Sequence, residues 1–185
     1  MKLFIRSLTD YCSHQSLRGK WIDISEVESG DEIREKIQAY LKERTTASGE
    51  LHEEFAIHEY SEEDYGEYPD LDELAQVINI SREYDINPSV VKGFIDHGCD
   101  IGTFSDCFEV ISDSEEEFAE EFIKRNFNLE LLQSRHQDDT IHNPTDYLDY
   151  ERIARDIFIN DFFSIENNGK IAVFKIIRCR DLVAR

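Results

Sequence analysis

The sequence predicts an α+β fold of three small domains, in which two terminal domains with small antiparallel sheets and a helix flank a mainly helical middle domain. Three observations support this prediction: β-rich runs near both ends, helical periodicity between them, and an apolar content of 40% with twelve Phe and eight Tyr in 185 residues. A chain of this length and composition buries a substantial core, which excludes a disordered acidic tail. We place the domains at residues 1–60, 61–110 and 111–185.

The N-terminal domain is predicted to combine three strands with one helix. The helix covers residues 29–44, where Ser29 and Glu32 have the spacing of a capping box. Its apolar side chains recur on one face, at Ile33, Ile37 and Leu41. The strands are rich in β-branched and aromatic residues and lie at residues 2–8, 20–24 and 54–60. We therefore expect a small sheet with one helix packed on it.

The middle domain is predicted to contain two helices. Asp70 is placed to cap the first, with Glu73 at its third position, and Pro88 starts the second, which stops at Gly98. The inward apolar residues are Leu71, Leu74, Ala75 and Ile78 in the first helix, and Val90, Val91, Phe94 and Ile95 in the second. The opposite faces are left for acidic side chains.

A further helix is predicted at residues 113–122, in a helical stretch that ends by residue 125, with Ser114 and Glu117 as a second capping box. Its apolar stripe consists of Phe118, Ala119, Phe122 and Ile123. Two pairs of Glu, 116 with 120 and 117 with 121, face each other, and each like-charge pair is destabilising by roughly 0.2–0.5 kcal/mol. One hypothesis is that a basic partner relieves this repulsion. The alternative, attraction of acids to the positive helix N-terminus, explains the first turn only.

The C-terminal domain continues with a helix at residues 147–161 and a hairpin at 162–177. The hairpin is centred on Asn168 and Gly169, because Asn-Gly between two β-rich runs is the strongest short hairpin signal. The preceding residues, 124–146, are interpreted as a polar connection.

The distribution of charge is the strongest functional signal. The chain has 41 acidic and 20 basic residues, a net charge of −21. Residues 51–121, called here the acidic window, hold 22 of the acids and only Arg82 and Lys92 as bases, whereas the remainder is nearly neutral. Such a surface repels nucleic acid and anionic membranes and attracts basic partners. Because the acids are concentrated rather than spread, we interpret them as a binding surface.

Motifs for catalysis and for metal binding are missing from the sequence. It contains no GxxxxGK[ST], GxGxxG or GxSxG pattern. His52 and His58 lack the i, i+4 spacing of a zinc-protease helix, with Ala56 at the required position. Residues 96–109 lack the order of a calcium-binding loop and are interpreted as a solvated loop with a partly buried Cys99. We expect no enzyme activity, no cofactor and no metal.

The cysteines and the apolar runs indicate a cytoplasmic protein. Cys12, Cys99, Cys107 and Cys179 are scattered and form no CxxC pair, which favours reduced thiols. Arg6 interrupts the N-terminal apolar run, and no run approaches the roughly 18 residues needed to span a bilayer.

Three segments, in order over most of the chain, resemble the ArdA-type antirestriction proteins, a family of acidic DNA mimics from bacterial mobile genetic elements. The segments are GKWIDI at 19–24, FAIHEYSEEDYGEYPDLDELAQV at 55–77, and YLDYERIARDIFINDFFSIE at 147–166 followed by VFK at 173–175. The resemblance implies an elongated chain of three domains and a homodimer formed through the C-terminal domain. It further implies that the dimer imitates bent B-form DNA and occupies the DNA-binding groove of the methyltransferase core of type I restriction–modification enzymes. Restriction would be blocked, and modification to a lesser extent, without direct nucleic-acid binding and without a cofactor.

The same resemblance implies which side chains form the DNA-mimic surface. They are carboxylates of the acidic window: Glu53, Glu54, Glu59, Glu62, Glu63, Asp64, Glu67, Asp70, Asp72, Glu73, Asp96, Asp100, Asp106, Glu109, Asp113, Glu115, Glu116, Glu117, Glu120 and Glu121.

The residues alone leave two other functions open. An acidic module that sequesters another basic DNA-binding protein or a nuclease would need the same surface. A metal-dependent enzyme that uses carboxylates would need a ligand pattern, and none is present. Two segments, 124–146 and the tail from Lys175 to Arg185, are more basic than the family resemblance implies, and both lie where a dimer contact or the acidic track is expected.

Overall fold

The computed structural model describes residues 1–12, 18–127 and 147–176. These residues form seven α-helices, one 3-10 turn and two antiparallel sheets of three strands each, so the predicted α+β class is confirmed. The chain divides into two compact units, Met1–Ile101 and Gly102–Arg185. The division into three domains stays a prediction.

The first unit contains the N-terminal sheet and four helices. Its elements are β1 (Lys2–Ser7), α1 (Leu8–Cys12), β2 (Lys20–Asp23), α2 (Gly30–Ser48), β3 (Phe55–Tyr60), α3 (Leu71–Tyr84) and α4 (Pro88–Asp96). The strand order is β2-β1-β3, with both pairings antiparallel. Alternation along β1 buries Leu3, Ile5 and Ser7 against the helices and turns the intervening side chains outward. The three predicted strands are therefore confirmed.

Helix α2 is longer than its sequence pattern predicts. Ser29 caps it by accepting a hydrogen bond from the amide of Glu32, as expected, but the Glu32 carboxylate accepts from the amide of Glu28 rather than that of Ser29. The predicted end at residue 44 is four residues short. The hydroxyls of Thr45, Thr46 and Ser48 bond to carbonyls four residues earlier, so these polar residues continue the helix.

The helices α2 and α3 share one hydrophobic core with the N-terminal sheet. Its largest fully buried side chains include Leu3, Ile5, Ile24, Ile33, Ile37, Leu41 and Leu74. As predicted, Asp70 caps α3, accepting from the amides of Asp72 and Glu73. A predicted middle-domain helix thus packs directly on the N-terminal sheet.

The second unit contains the C-terminal sheet. Its elements are α5 (Phe104–Cys107), β4 (Phe108–Ser112), α6 (Glu115–Asn126), α7 (Tyr150–Asn160), β5 (Phe162–Asn167) and β6 (Lys170–Lys175), preceded by the 3-10 turn Ile101–Thr103. The strand order is β4-β6-β5. Asn168 and Gly169 both have positive φ, 54° and 82°, which is the turn that Asn-Gly predicts. Helix α7 starts at Tyr150 because Asp149 caps it.

The prediction of a solvated loop at 96–109 is wrong for most of its length. Asp96 ends α4, and the 3-10 turn, α5 and the first residues of β4 follow. Phe104 is buried, and its ring meets the edge of Phe174 with centroids 5.2 Å apart. Strand β4 pairs with β6, which is about sixty residues later in the sequence, so no local sequence pattern predicts this contact. Cys99 is half-buried, as predicted.

Among the helices of the described residues, none combines the length and the apolar character that crossing a bilayer requires. Most of the predicted polar connection, residues 128–146, and the basic tail from residue 177 lie outside the described part of the chain.

Candidate partner-binding surface

The twenty predicted carboxylates all lie at the surface. Eighteen are exposed, and Glu63 and Glu120 are half-buried. Twelve belong to the first unit and eight, from Asp106 onward, belong to the second. Each unit therefore presents a set of accessible negative charges supported by its own apolar core.

Four of the carboxylates, Glu62, Glu63, Asp64 and Glu67, lie on the segment between β3 and α3. Two tyrosines hold this segment: the Tyr60 hydroxyl donates to the carbonyl of Gly66 at 2.6 Å, and the Tyr65 hydroxyl donates to that of Pro88 at 3.1 Å. Burial raises the pKa of both phenols, with a smaller contribution from nearby carboxylates, so both remain protonated donors.

The same segment is also held through its backbone. The amide of Ile57 in β3 donates to the carbonyl of Glu67 at 3.1 Å, and the Asp64 carboxylate accepts from the amide of Gly66 at 2.7 Å. The acidic segment is therefore ordered by contacts that leave most of its charges exposed.

The first turn of α3 carries three more carboxylates. Asp70 is the N-cap, and Asp72 accepts two hydrogen bonds from the guanidinium of Arg34 in α2, at 2.8 and 3.3 Å. These bonds hold the pKa of Asp72 below its usual range. Arg34 also pairs with Asp31 at 2.8 Å. One carboxylate of the predicted surface is thus partly neutralised by a base from outside the acidic window.

Helix α6 carries five Glu among its 12 residues. Glu115 accepts from the Ser164 hydroxyl at 2.7 Å, and Glu117 accepts from the amide of Asp113 at 2.8 Å. The predicted capping box is therefore modified, since the reciprocal bond goes to Asp113 rather than Ser114. Ser114 itself caps the helix as expected.

The repelling pairs of α6 have a basic neighbour within the chain. Lys124 pairs with Glu120 at 2.7 Å and with Glu121 at 3.0 Å. Its hydrogen bonds to these carboxylates raise the pKa of Lys124. Lys124 therefore relieves part of the repulsion within the chain. This corrects the hypothesis that a basic partner is what relieves it.

A groove of about 790 Å³ lies beside α6. Its lining residues come from β4, α6 and both ends of β6, and Phe118, Phe122 and Phe162 give it an apolar component. The carboxylates at its surface are Glu109, Asp113, Glu117, Glu121 and Asp161. Three basic residues, Arg125, Lys170 and Lys175, line the same groove, so it presents both signs of charge beside its apolar wall. Asp161, outside the acidic window, was not among the predicted residues.

The histidines discussed above do not form a metal site. His52 is buried, and its ring nitrogens lie 2.6 Å from Ser7 Oγ and 2.9 Å from Ser48 Oγ. Within residues 1–12, 18–127 and 147–176, no group of three or more His, Cys, Asp or Glu is arranged to hold a metal ion.

A protein-family model matches most of the chain. The family model described as "Antirestriction protein (ArdA)" matches residues 3–171, a range that includes all twenty carboxylates. No curated protein matches the chain. The family predicted from three sequence segments is confirmed.

Proposed function

Since this chain belongs to the ArdA family of antirestriction proteins, we propose that it inhibits type I restriction–modification enzymes by occupying their DNA-binding site with its carboxylates. The observation that carries the proposal is the acidic window, with 22 acids against two bases in 71 residues. Its twenty predicted carboxylates are exposed or half-buried, which supports their use in binding.

The number of charges suits imitation of a duplex. Duplex DNA carries one negative charge per about 1.7 Å of its axis, so 22 carboxylates correspond to roughly 37 Å, about one helical turn. Lys and Arg side chains that grip phosphates form charge-assisted hydrogen bonds with carboxylates equally well. Binding blocks restriction, and modification to a lesser extent, and involves no chemical step.

We further propose that the second unit pairs with its copy in a symmetric homodimer, which extends the acidic surface. Exposed apolar side chains of this unit support the proposal: Ile159 in α7 is 68% exposed and Tyr147, just before α7, is 72% exposed. A symmetric contact between two copies of one surface is the commonest arrangement of soluble homo-oligomers, and these side chains give such a contact apolar area to bury. Ile159→Lys should therefore shift the protein toward monomer in sedimentation velocity, and an unchanged dimer would place the contact elsewhere.

The proposed inhibition is tested by competition with DNA. The methyltransferase core of a type I enzyme is bound to labelled target DNA, and the protein is titrated in while DNA release is followed. Stoichiometric displacement, with no binding of the protein to the DNA alone, is the expected result. If several such enzymes show no displacement, the proposal fails, and the acidic surface would then serve another basic partner.

A matched pair of variants separates the acidic window from net charge. Glu59, Glu67 and Glu73 are exposed carboxylates within the window, whereas Glu26, Glu35 and Glu50 are exposed carboxylates outside it. Each triple Glu→Gln variant removes three negative charges. We expect the first triple to weaken displacement clearly and the second to leave it nearly unchanged; equal effects would mean that only total charge matters.

A further inference from the structure

Four basic side chains of this protein are already paired with carboxylates of the proposed surface. The pairs are Arg34 with Asp72 (2.8 Å), Lys92 with Asp96 (2.6 Å), Lys124 with Glu120 (2.7 Å) and Glu121 (3.0 Å), and Lys170 with Asp113 (2.6 Å). Three of these bases come from outside the acidic window. Five of the twenty predicted carboxylates therefore pair with a basic side chain of the same protein, and a sixth, Glu62, lies 3.4 Å from the N-terminal ammonium.

These pairs are open to water and to a partner. The side chains of Lys170 and Asp113 are 57% and 66% exposed, and those of Lys124 and Glu121 are 46% and 59% exposed. Exposed ion pairs of this kind contribute little to the stability of a fold. Their presence on α3, α4 and α6 is therefore poorly explained by stability alone.

The counter-ions of DNA differ from these side chains because they are not attached to it. The cations around a duplex are mobile, and their release into solution when a protein binds favours association. A Lys that is covalently attached to the mimic is not released. It must instead be displaced from its carboxylate by a basic side chain of the enzyme, and it stays nearby as a repelling charge.

We propose that Lys124 and Lys170, together with Arg34 and Lys92, are affinity-determining residues that act as built-in counter-ions and limit how tightly the acidic surface binds a basic enzyme. The inference rests on the proposed function. Lys124 has the strongest position, because one ammonium group pairs with two adjacent carboxylates of α6. Lys170 holds Asp113 within the groove beside α6, where Glu117 also attracts it.

The test uses the DNA-displacement assay with Lys124→Gln, Lys170→Gln and the double variant. Lys42→Gln is the control: Lys42 is exposed on α2 outside the acidic window, and no ion pair of its side chain occurs among the described residues. Each single variant should inhibit about two- to fivefold more tightly than the natural protein, which is the range that releasing one exposed pair implies. The control should change less, because its removal frees no carboxylate of the proposed surface from an ion pair.

A second readout excludes a purely structural effect. The inhibition by Lys124→Gln should depend more steeply on salt than that of the natural protein, since freed carboxylates attract cations from solution. Circular dichroism and thermal unfolding confirm that the variants are folded.

The outcomes separate the inference from the proposed function. If the natural protein displaces DNA but both Lys variants behave like Lys42→Gln or bind more weakly, the inference is overturned and the proposed function stands. If the natural protein displaces no DNA from any type I enzyme, both are overturned.

Discussion

His52 joins β1, α2 and the segment before β3 through both of its ring nitrogens. The Ser48 hydroxyl donates to the carbonyl of Arg44 at 2.9 Å, which leaves its oxygen to accept from Nε2–H of His52. The other ring nitrogen, Nδ1, lies 2.6 Å from the Ser7 hydroxyl oxygen. A residue that the sequence presents as a candidate metal ligand is instead a buried core residue with a hydroxyl partner at each ring nitrogen.

Replacing His52 should destabilise the first unit strongly. His52→Ala removes a buried ring and leaves the hydroxyls of Ser7 and Ser48 without it, so we expect the free energy of unfolding to fall by about 2–4 kcal/mol. Urea denaturation followed by circular dichroism measures the change. His97→Ala, at an exposed histidine at the end of α4, is the control and should cost less than about 1 kcal/mol. Equal effects would contradict a structural role for His52.

Asp10 and Arg44 form a second buried polar contact, between α1 and α2. The guanidinium donates two hydrogen bonds to the carboxylate, at 2.8 and 2.9 Å, and Asp10 is only 4% exposed. These bonds hold the pKa of Asp10 below its ordinary value. Because the pKa is lower in the folded state, the pair stabilises the fold fully above the unfolded pKa of about 3.9, and this stabilisation is lost as pH falls through the folded pKa.

The contribution of this pair is measured against Asp10→Asn. At neutral pH the free energy of unfolding of the variant should be about 1–3 kcal/mol lower than that of the natural protein, because the guanidinium of Arg44 loses a charged partner. The difference from the natural protein should shrink as pH falls from about 5 to about 3. A difference that stays constant over this range would show that the carboxylate charge of Asp10 is not what Arg44 recognises.

At the scale of the element, α6 shows how repulsion and pairing nearly cancel. Replacing Glu120 and Glu121 together by Gln removes two like-charge pairs, worth roughly 0.2–0.5 kcal/mol each, and also removes the pairs with Lys124, of similar size. We therefore expect stability to change by less than about 0.5 kcal/mol while DNA displacement weakens. Thermal unfolding and the displacement assay measure the two effects.

The N-cap of the same helix provides the contrast. Ser114→Ala should lower the free energy of unfolding by about 1 kcal/mol, since the hydroxyl oxygen accepts from the amide of Glu117, and it should affect inhibition little. Loss of folding in the Glu120/Glu121 variant would mean that those carboxylates are structural.

The elements that were predictable are those with local signals. The caps at Asp70 and Ser114 and the Asn168-Gly169 turn each depend on residues a few positions apart, so the sequence reports them directly. Strand β4 has no such signal, because its position is fixed by pairing with β6. Helix α1 is only five residues long and is likewise held by tertiary contacts, among them the bond between Asp10 and Arg44.

The exposure of the proposed surface was predictable to the same degree. That acids lie in water follows from their charge, and all twenty predicted carboxylates are exposed or half-buried. Which of them are neutralised does not follow, because Arg34 reaches Asp72 from another helix and Lys170 reaches Asp113 from the hairpin. Such pairings depend on how the elements pack.

At the scale of the whole molecule, added salt should stabilise the fold and weaken inhibition. Added salt screens the mutual repulsion of the acidic window, so the melting temperature should rise between about 0.05 and about 0.2 M salt. Over the same range the inhibitory concentration should also rise, because salt ions compete for both charged surfaces. The two curves are measured by differential scanning calorimetry and by DNA displacement. Inhibition that does not vary with salt would count against mimicry by charge.

The tyrosine-held segment between β3 and α3 has a consequence for the affinity that the proposed DNA mimicry can reach. A stiff duplex presents its phosphates in fixed positions, whereas a loose acidic loop would lose conformational entropy each time it met an enzyme. Here the hydroxyls of Tyr60 and Tyr65 fix the loop before any encounter. On the proposed function, two uncharged side chains therefore lower the entropy that binding costs, so that more of the electrostatic attraction remains as binding energy.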